Sequence, residues 1–128
     1  MRSVIGDVSG STSSQAVRMT VRWSVLAGES RSIAAAVQGI MASTSTEPGC
    51  VGCSLTTEMG ARAVINYTEE WSSESELQRQ LRSDRFAVLV ELMEHASAMP
   101  SIEFTLPDSV RGLDYAQEIR RSRRPEFP

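Results

Sequence analysis

Glu47-Pro48-Gly49-Cys50, followed further along by Glu69-Glu70-Trp71, decides how the middle of this chain is built. Pro48 and Gly49 stop the element before them and reverse the chain: proline has no amide proton to donate, and glycine accepts backbone angles closed to other residues. From Cys50 to Met59 the sequence reads as a strand with Val51, Cys53 and Leu55 on its apolar side. Gly60-Ala61-Arg62 makes a short turn, and Ala63 to Trp71 reads as the returning strand of an antiparallel hairpin.

Upstream, Val17 to Leu26 alternates strictly. Val17, Met19, Val21, Trp23 and Val25 share one side, and Arg18, Thr20, Arg22 and Ser24 the other, as in a half-buried strand. Ala27-Gly28 ends it, and Ile33, Val37, Ile40 and Met41 then recur at helical spacing between Glu29 and about Thr44. Downstream, Ser72 or Ser73 can cap the next helix, with Glu76 three residues after Ser73 as a capping box, and Ser83 recaps it. Phe86, Leu89, Val90, Met93 and Ala96 carry an apolar stripe toward Met99. Pro100 breaks it, Ile102, Phe104 and Leu106 alternate as a last strand, and Leu113, Ala116 and Ile119 mark a short helix over 112–122.

The order is β-α-β-β-α-β, which predicts an α+β, ferredoxin-like antiparallel sheet with strand order 4-1-3-2 and both helices on one side. The bare side carries Arg18, Thr20, Arg22, Ser54, Thr56, Asn66 and Thr68. A homodimer pressing two such sheets together would cover it. The chain divides into a Ser/Gly/Thr-rich leader over 1–16, flexible or packed on a partner, a domain over 17–106, and a C-terminal extension over 107–128 ending in an Arg-rich tail.

Composition narrows the function. At 128 residues there is one domain's worth of chain, with 41% apolar and 23% charged residues, ordinary for a globular protein. No apolar run approaches the ~18 residues that a membrane span needs. The start of the chain has no secretory-signal pattern, so a cytoplasmic location is expected. All 13 basic residues are arginine, which removes lysine Schiff-base chemistry. A net charge of −3 argues against a broad nucleic-acid surface, and Arg120, Arg121, Arg123 and Arg124 read as a solvated tail. Cys50 and Cys53 form a C-x-x-C, a redox or metal spacing. On a regular strand, however, residues three apart face opposite sides about 10 Å apart, and no further Cys or His cluster completes a zinc site. Neither a metal nor a cofactor is expected.

With these pieces in order, Val17 to Leu106 resembles the antibiotic biosynthesis monooxygenase superfamily, the dimeric α/β-barrel proteins. The resemblance rests on Glu47-Pro48-Gly49-Cys50, on Tyr67-Thr68-Glu69-Glu70-Trp71, and on Leu77 followed by Leu81-Arg82-Ser83-Asp84-Arg85-Phe86. It implies oxygenation of a small phenol or quinol by O₂ without a cofactor, in a dry pocket that orients a flat substrate and takes its proton. Tyr67, Glu69, Trp71 and Asn66 are the catalytic candidates. Trp23, Cys53, Phe86, Leu89 and Met93 are the pocket candidates. Trp71 would stack on the substrate, Tyr67 would donate to its oxygen, and Glu69 or Asn66 would assist proton transfer.

Two departures stand beside the resemblance. Quinol-oxygenating members resemble one another in an Asn four residues before the Trp, where this chain has Tyr67; Asn66 is offset by one and expected on the other side. The haem-degrading branch uses a helical His and a first-strand Asn; here those places fall near Gln80 and Val21, which disfavours haem degradation. The single histidine, His95, is expected at a helix end. The alternative function is a non-catalytic homodimer of the same fold that binds a small ligand or serves as a scaffold.

Overall fold

A computed structural model describes residues 16–122. Its central strand, β1 (Val17–Leu26), alternates buried and exposed along its whole length, and Val17, Met19, Val21, Trp23 and Val25 are all in the core. A short 3₁₀ turn over Ala27–Glu29 leads into α1 (Ser30–Thr44), which buries Ile33, Val37 and Ile40. The hairpin is β2 (Cys50–Glu58) and β3 (Arg62–Trp71). Every second residue of β3, from Ala63 through Ile65, Tyr67 and Glu69 to Trp71, is buried. Then come α2 (Glu74–Leu81), α3 (Asp84–Met93), β4 (Ser101–Thr105), β5 (Val110–Arg111) and α4 (Leu113–Arg121).

The five-stranded sheet runs β2-β3-β1-β4-β5 and is antiparallel throughout. The expected order of four strands therefore stands, with β5 added as a hairpin on β4. The capping serines act as anticipated: Ser73 Oγ accepts the Glu76 amide and Ser83 Oγ the Phe86 amide. The Glu76 carboxylate does not complete the reciprocal half of the box but pairs with Arg79. Helix α3 ends at Met93, earlier than the apolar stripe implied, and Met99 is exposed. In the extension Tyr115, rather than Leu113, joins Ala116 and Ile119 in the core, and its ring meets Phe104 at 5.2 Å between centroids.

Two expectations are corrected. Strand β2 is not regular at its start: Cys50 lies opposite Trp71, Gly52 opposite Glu70 and Cys53 opposite Glu69. Val51 is the extra residue of a β-bulge, turned outward and 55% exposed. Because the bulge absorbs one residue, Cys50 and Cys53 come to the same side, with sulfurs 3.8 Å apart rather than on opposite faces. Arg120 is exposed but not a free tail residue either: its guanidinium donates to the Leu81 carbonyl at 2.6 Å and lies over the Phe86 ring. Arg121 is exposed, while Arg123, Arg124 and the leader through residue 15 lie outside the described residues.

The Glu47-Pro48-Gly49 turn is clasped by α2. The Ser72 amide donates to the Gly49 carbonyl at 2.8 Å, and Arg79 donates to the Pro48 carbonyl at 3.1 Å. Gly49 has φ of +88°, and a Cβ there would come within 2.5 Å of the Glu76 side chain. Gly49→Ala is expected to cost about 1–2 kcal/mol from the left-handed backbone alone, plus a steric share. Urea unfolding of Gly49→Ala, Glu76→Ala and the double variant would measure the share due to the Glu76 Cγ and Cδ, since the single Glu76→Ala variant accounts for the loss of its pair with Arg79.

Candidate active site

Strand β3 delivers three side chains to the side covered by the helices: Tyr67, Glu69 and Trp71, spaced by two and all essentially without exposed surface. They converge on the carboxylate. Tyr67 Oη donates to Glu69 Oε2 at 2.7 Å, and Trp71 Nε1 donates to Oε1 at 3.0 Å. Helix α2 adds Gln80, whose Nε2 donates to Oε2 at 3.2 Å and to Thr44 Oγ1 at 3.3 Å. The other end of that amide accepts from Arg85, Nε at 3.2 Å and Nη2 at 2.9 Å. A carboxylate at one end and a guanidinium at the other leave the amide a single orientation that satisfies both. Arg85 finally reaches Glu47 at 3.3 Å, at the turn before β2.

The network explains the electrostatics. Burial pushes the Glu69 carboxyl above its ordinary range, and the hydrogen bonds from Tyr67, Trp71 and Gln80, with the nearby Arg85 charge, pull it back part of the way. Burial, then the Glu69 charge, push the Tyr67 phenol up as well. Burial and the three donors thus act on the Glu69 carboxyl in opposite directions, and burial is the larger of the two.

Not every anticipated residue joins this group. Asn66 is on the far side of the sheet, where it accepts from Arg22 at 3.1 Å and donates to Glu58 at 3.2 Å. Cys53, half-buried, lies 3.9 Å from Tyr67 Oη. Trp23, Phe86, Leu89 and Met93 are buried in the core beneath the helices. The indole N–H of Trp23 is buried with no hydrogen-bond partner among the described residues. A cavity of about 330 Å³ opens elsewhere, between the start of α1 and the end of α3, lined by Glu29, Ser32, Ile33, Leu92 and His95. Thr44, Gln80 and Arg85 were not singled out by sequence reasoning as site residues. Arg85 carried the one available signal, its place in the Leu81–Phe86 stretch beside the apolar stripe.

The two-layer arrangement defines a ferredoxin-like α+β domain with a hydrogen-bonded acid beneath its helices. The chain belongs to the antibiotic biosynthesis monooxygenase family, whose model matches residues 16–92. Several solved structures share the fold. A conserved protein from Methanosarcina mazei Go1 is 22% identical, with a TM-score of 0.64 over 72% of this chain and 92% of that one. Rv0793 from Mycobacterium tuberculosis is 19% identical, with a TM-score of 0.58 over 72% and 94%. SnoaB, a cofactor-independent oxygenase from Streptomyces nogalater, is 15% identical, with a TM-score of 0.58 over 70% and 90%. No curated protein matches the sequence at a significant level.

A raised folded-state value for Glu69 has a definite sign. Its contribution to stability is complete below the ordinary glutamate range and is lost as pH rises through the raised value, with a limiting slope of about −1.4 kcal/mol per pH unit for one proton. Urea unfolding across that window is expected to show this loss for the wild type and not for Glu69→Gln. Parallel curves would mean that Glu69 is not held above its ordinary range.

Proposed function

We propose that the protein is a cofactor-independent monooxygenase of a small phenol- or quinol-type aromatic, working at the covered side of β3. One observation carries the reading: a fully buried carboxylate, raised by burial, that accepts from a phenol and an indole on the same strand. Such a group takes a proton from a phenolic substrate through Tyr67, and the resulting phenolate is the electron donor to O₂. One oxygen atom enters the substrate and the other leaves as water, so the substrate supplies the electrons. Trp71 orients the flat ring. Proton transfer falls to Glu69 rather than Asn66, which is tied to Arg22 and Glu58 on the opposite side. Because Tyr67 and Trp71 are covered, substrate reaches them only when the helical layer over them opens.

A second reading, a non-catalytic ligand-binding or scaffold protein, draws on one specific observation. Tyr67, Glu69, Trp71 and Gln80 already satisfy one another, and the cavity of about 330 Å³ lies beside His95 instead. The two are separated by oxygen uptake with simple hydroquinones in metal-free buffer. Oxygenation predicts uptake that falls about 100-fold or more in Glu69→Gln, the order of a lost general base, and falls in Trp71→Ala and Tyr67→Phe. Saturable thermal stabilisation by aromatics with no uptake favours ligand binding.

The same reading includes a homodimer formed through the polar side of the sheet. There Thr20 lies opposite Thr68, and Arg18 pairs with Glu70 at 3.1 Å. Sedimentation is expected to give twice the chain mass, shifting toward the monomer in Thr68→Glu. A monomeric wild type would remove the dimer from the proposal.

A further inference from the structure

The bulge in β2 does more than turn Val51 outward. Trp71 and Glu69 are two residues apart on β3 and share a side, so their opposite numbers Cys50 and Cys53 share it too. They become same-side neighbours along the strand, with Cα atoms expected roughly 7 Å apart, against about 10 Å for three regular strand steps. That spacing lies at the upper end of the range a disulfide spans, and the two sulfurs stand 3.8 Å from each other as free thiols. Gly52, between them, has nothing within 4 Å of where a Cβ would stand, so no side chain opposes a tightening of the backbone there. Both cysteines are half-buried on an edge strand, which a small solute can reach. No group of three metal-ligating side chains exists among the described residues, so the pair has no third ligand with which to hold a metal.

We propose that Cys50 and Cys53 are an oxidation site, a dithiol that hydrogen peroxide converts to an intrachain disulfide beside Tyr67. Cys50 is the attacking sulfur. Its sulfur stands at the bulged start of the edge strand, whereas that of Cys53 also meets the Tyr67 hydroxyl at 3.9 Å; the contact between the two thiols lowers Cys50, with burial and Glu69 opposing. The Cys50 thiolate attacks one peroxide oxygen, the O–O bond breaks, and the departing hydroxide takes up a proton as water. This leaves a sulfenic acid on Cys50. The Cys53 sulfur, losing its proton, then attacks the Cys50 sulfur; the S–O bond breaks and a second water leaves. Two thiols and one peroxide become one disulfide and two waters, the sulfurs giving up two electrons and the peroxide accepting them. Closing the bond draws Cys53 toward Cys50 and alters the 3.9 Å contact that its sulfur makes with Tyr67. The inference stands on the bulge and the thiols, and it holds whether or not the domain is an oxygenase.

The test is mass spectrometry of the full chain exposed to stoichiometric hydrogen peroxide, denatured and alkylated without reductant. Both thiols are expected to be lost together, within one tryptic peptide, and to return on treatment with dithiothreitol. In Cys53→Ser the reaction should stop at a sulfenic acid on Cys50, captured by dimedone. In Cys50→Ser, thiol loss should slow by about 10-fold, following the lost thiolate. Two alkylatable thiols after exposure, disulfides found only between chains, or a sulfinic acid on one cysteine with the other untouched would each overturn the proposal.

Discussion

Glu69 is a carboxylate with no exposed surface in a domain of modest size, and much of the surrounding structure answers to that fact. An isolated charge in such a place would be prohibitively costly, so it must be hydrogen-bonded or neutral. Three donors reach it, from β3 on both sides and from α2, and the amide of Gln80 passes the polarity on to Arg85 and so to Glu47. This one requirement links the turn before β2, the middle of β3, the end of α2 and the start of α3. The Glu-Pro-Gly turn and the Glu-Glu-Trp strand end are far apart in the chain, yet they are two ends of a single polar relay. Removing one member would leave a buried partner unsatisfied, which generally costs more than the bond itself contributes.

The sheet separates two environments by simple alternation. Toward the helices, β1 and β3 offer an apolar floor interrupted by the Tyr67–Glu69–Trp71 group. Away from them, exposed pairs such as Arg18 with Glu70 and Arg22 with Glu58 stand on a threonine-rich surface. Exposed pairs of this kind add little stability; they keep the surface hydrated and set its charge pattern. A one-residue slip anywhere in β3 would put Glu69 on that wet side and Glu70 in the core. The covered carboxylate thereby fixes the register as firmly as the apolar residues do.

Sequence reasoning succeeded where periodicity and local chemistry act alone. The alternation of Val17 to Val25, the capping serines 73 and 83, and the spacing of Tyr67, Glu69 and Trp71 each carry their own signal, and all three appear in the structure. It failed where one residue breaks a count or a partner comes from far along the chain. A two-residue repeat carried through Val51 puts the cysteine pair on opposite sides, whereas Gly52 marks a place where a strand can bulge and does. Strand β5 is too short for any pattern to register. Gln80 and Arg85 look like ordinary polar positions on amphipathic helices, and only their distance to Glu69, across the interface between layers, gives them a role.

The bulged strand also bears on how copies of this chain meet. Strand β2 is one end of the sheet, and at the other end the described strands finish in a two-residue hairpin arm followed by α4. A long open margin normally invites a foreign strand to add itself and then another, which is how ordered aggregates grow. The outward Val51 breaks the run of evenly spaced backbone groups at the start of β2, so an incoming strand loses its register there. The irregularity that brings two sulfurs together is therefore also a safeguard against runaway fibre growth.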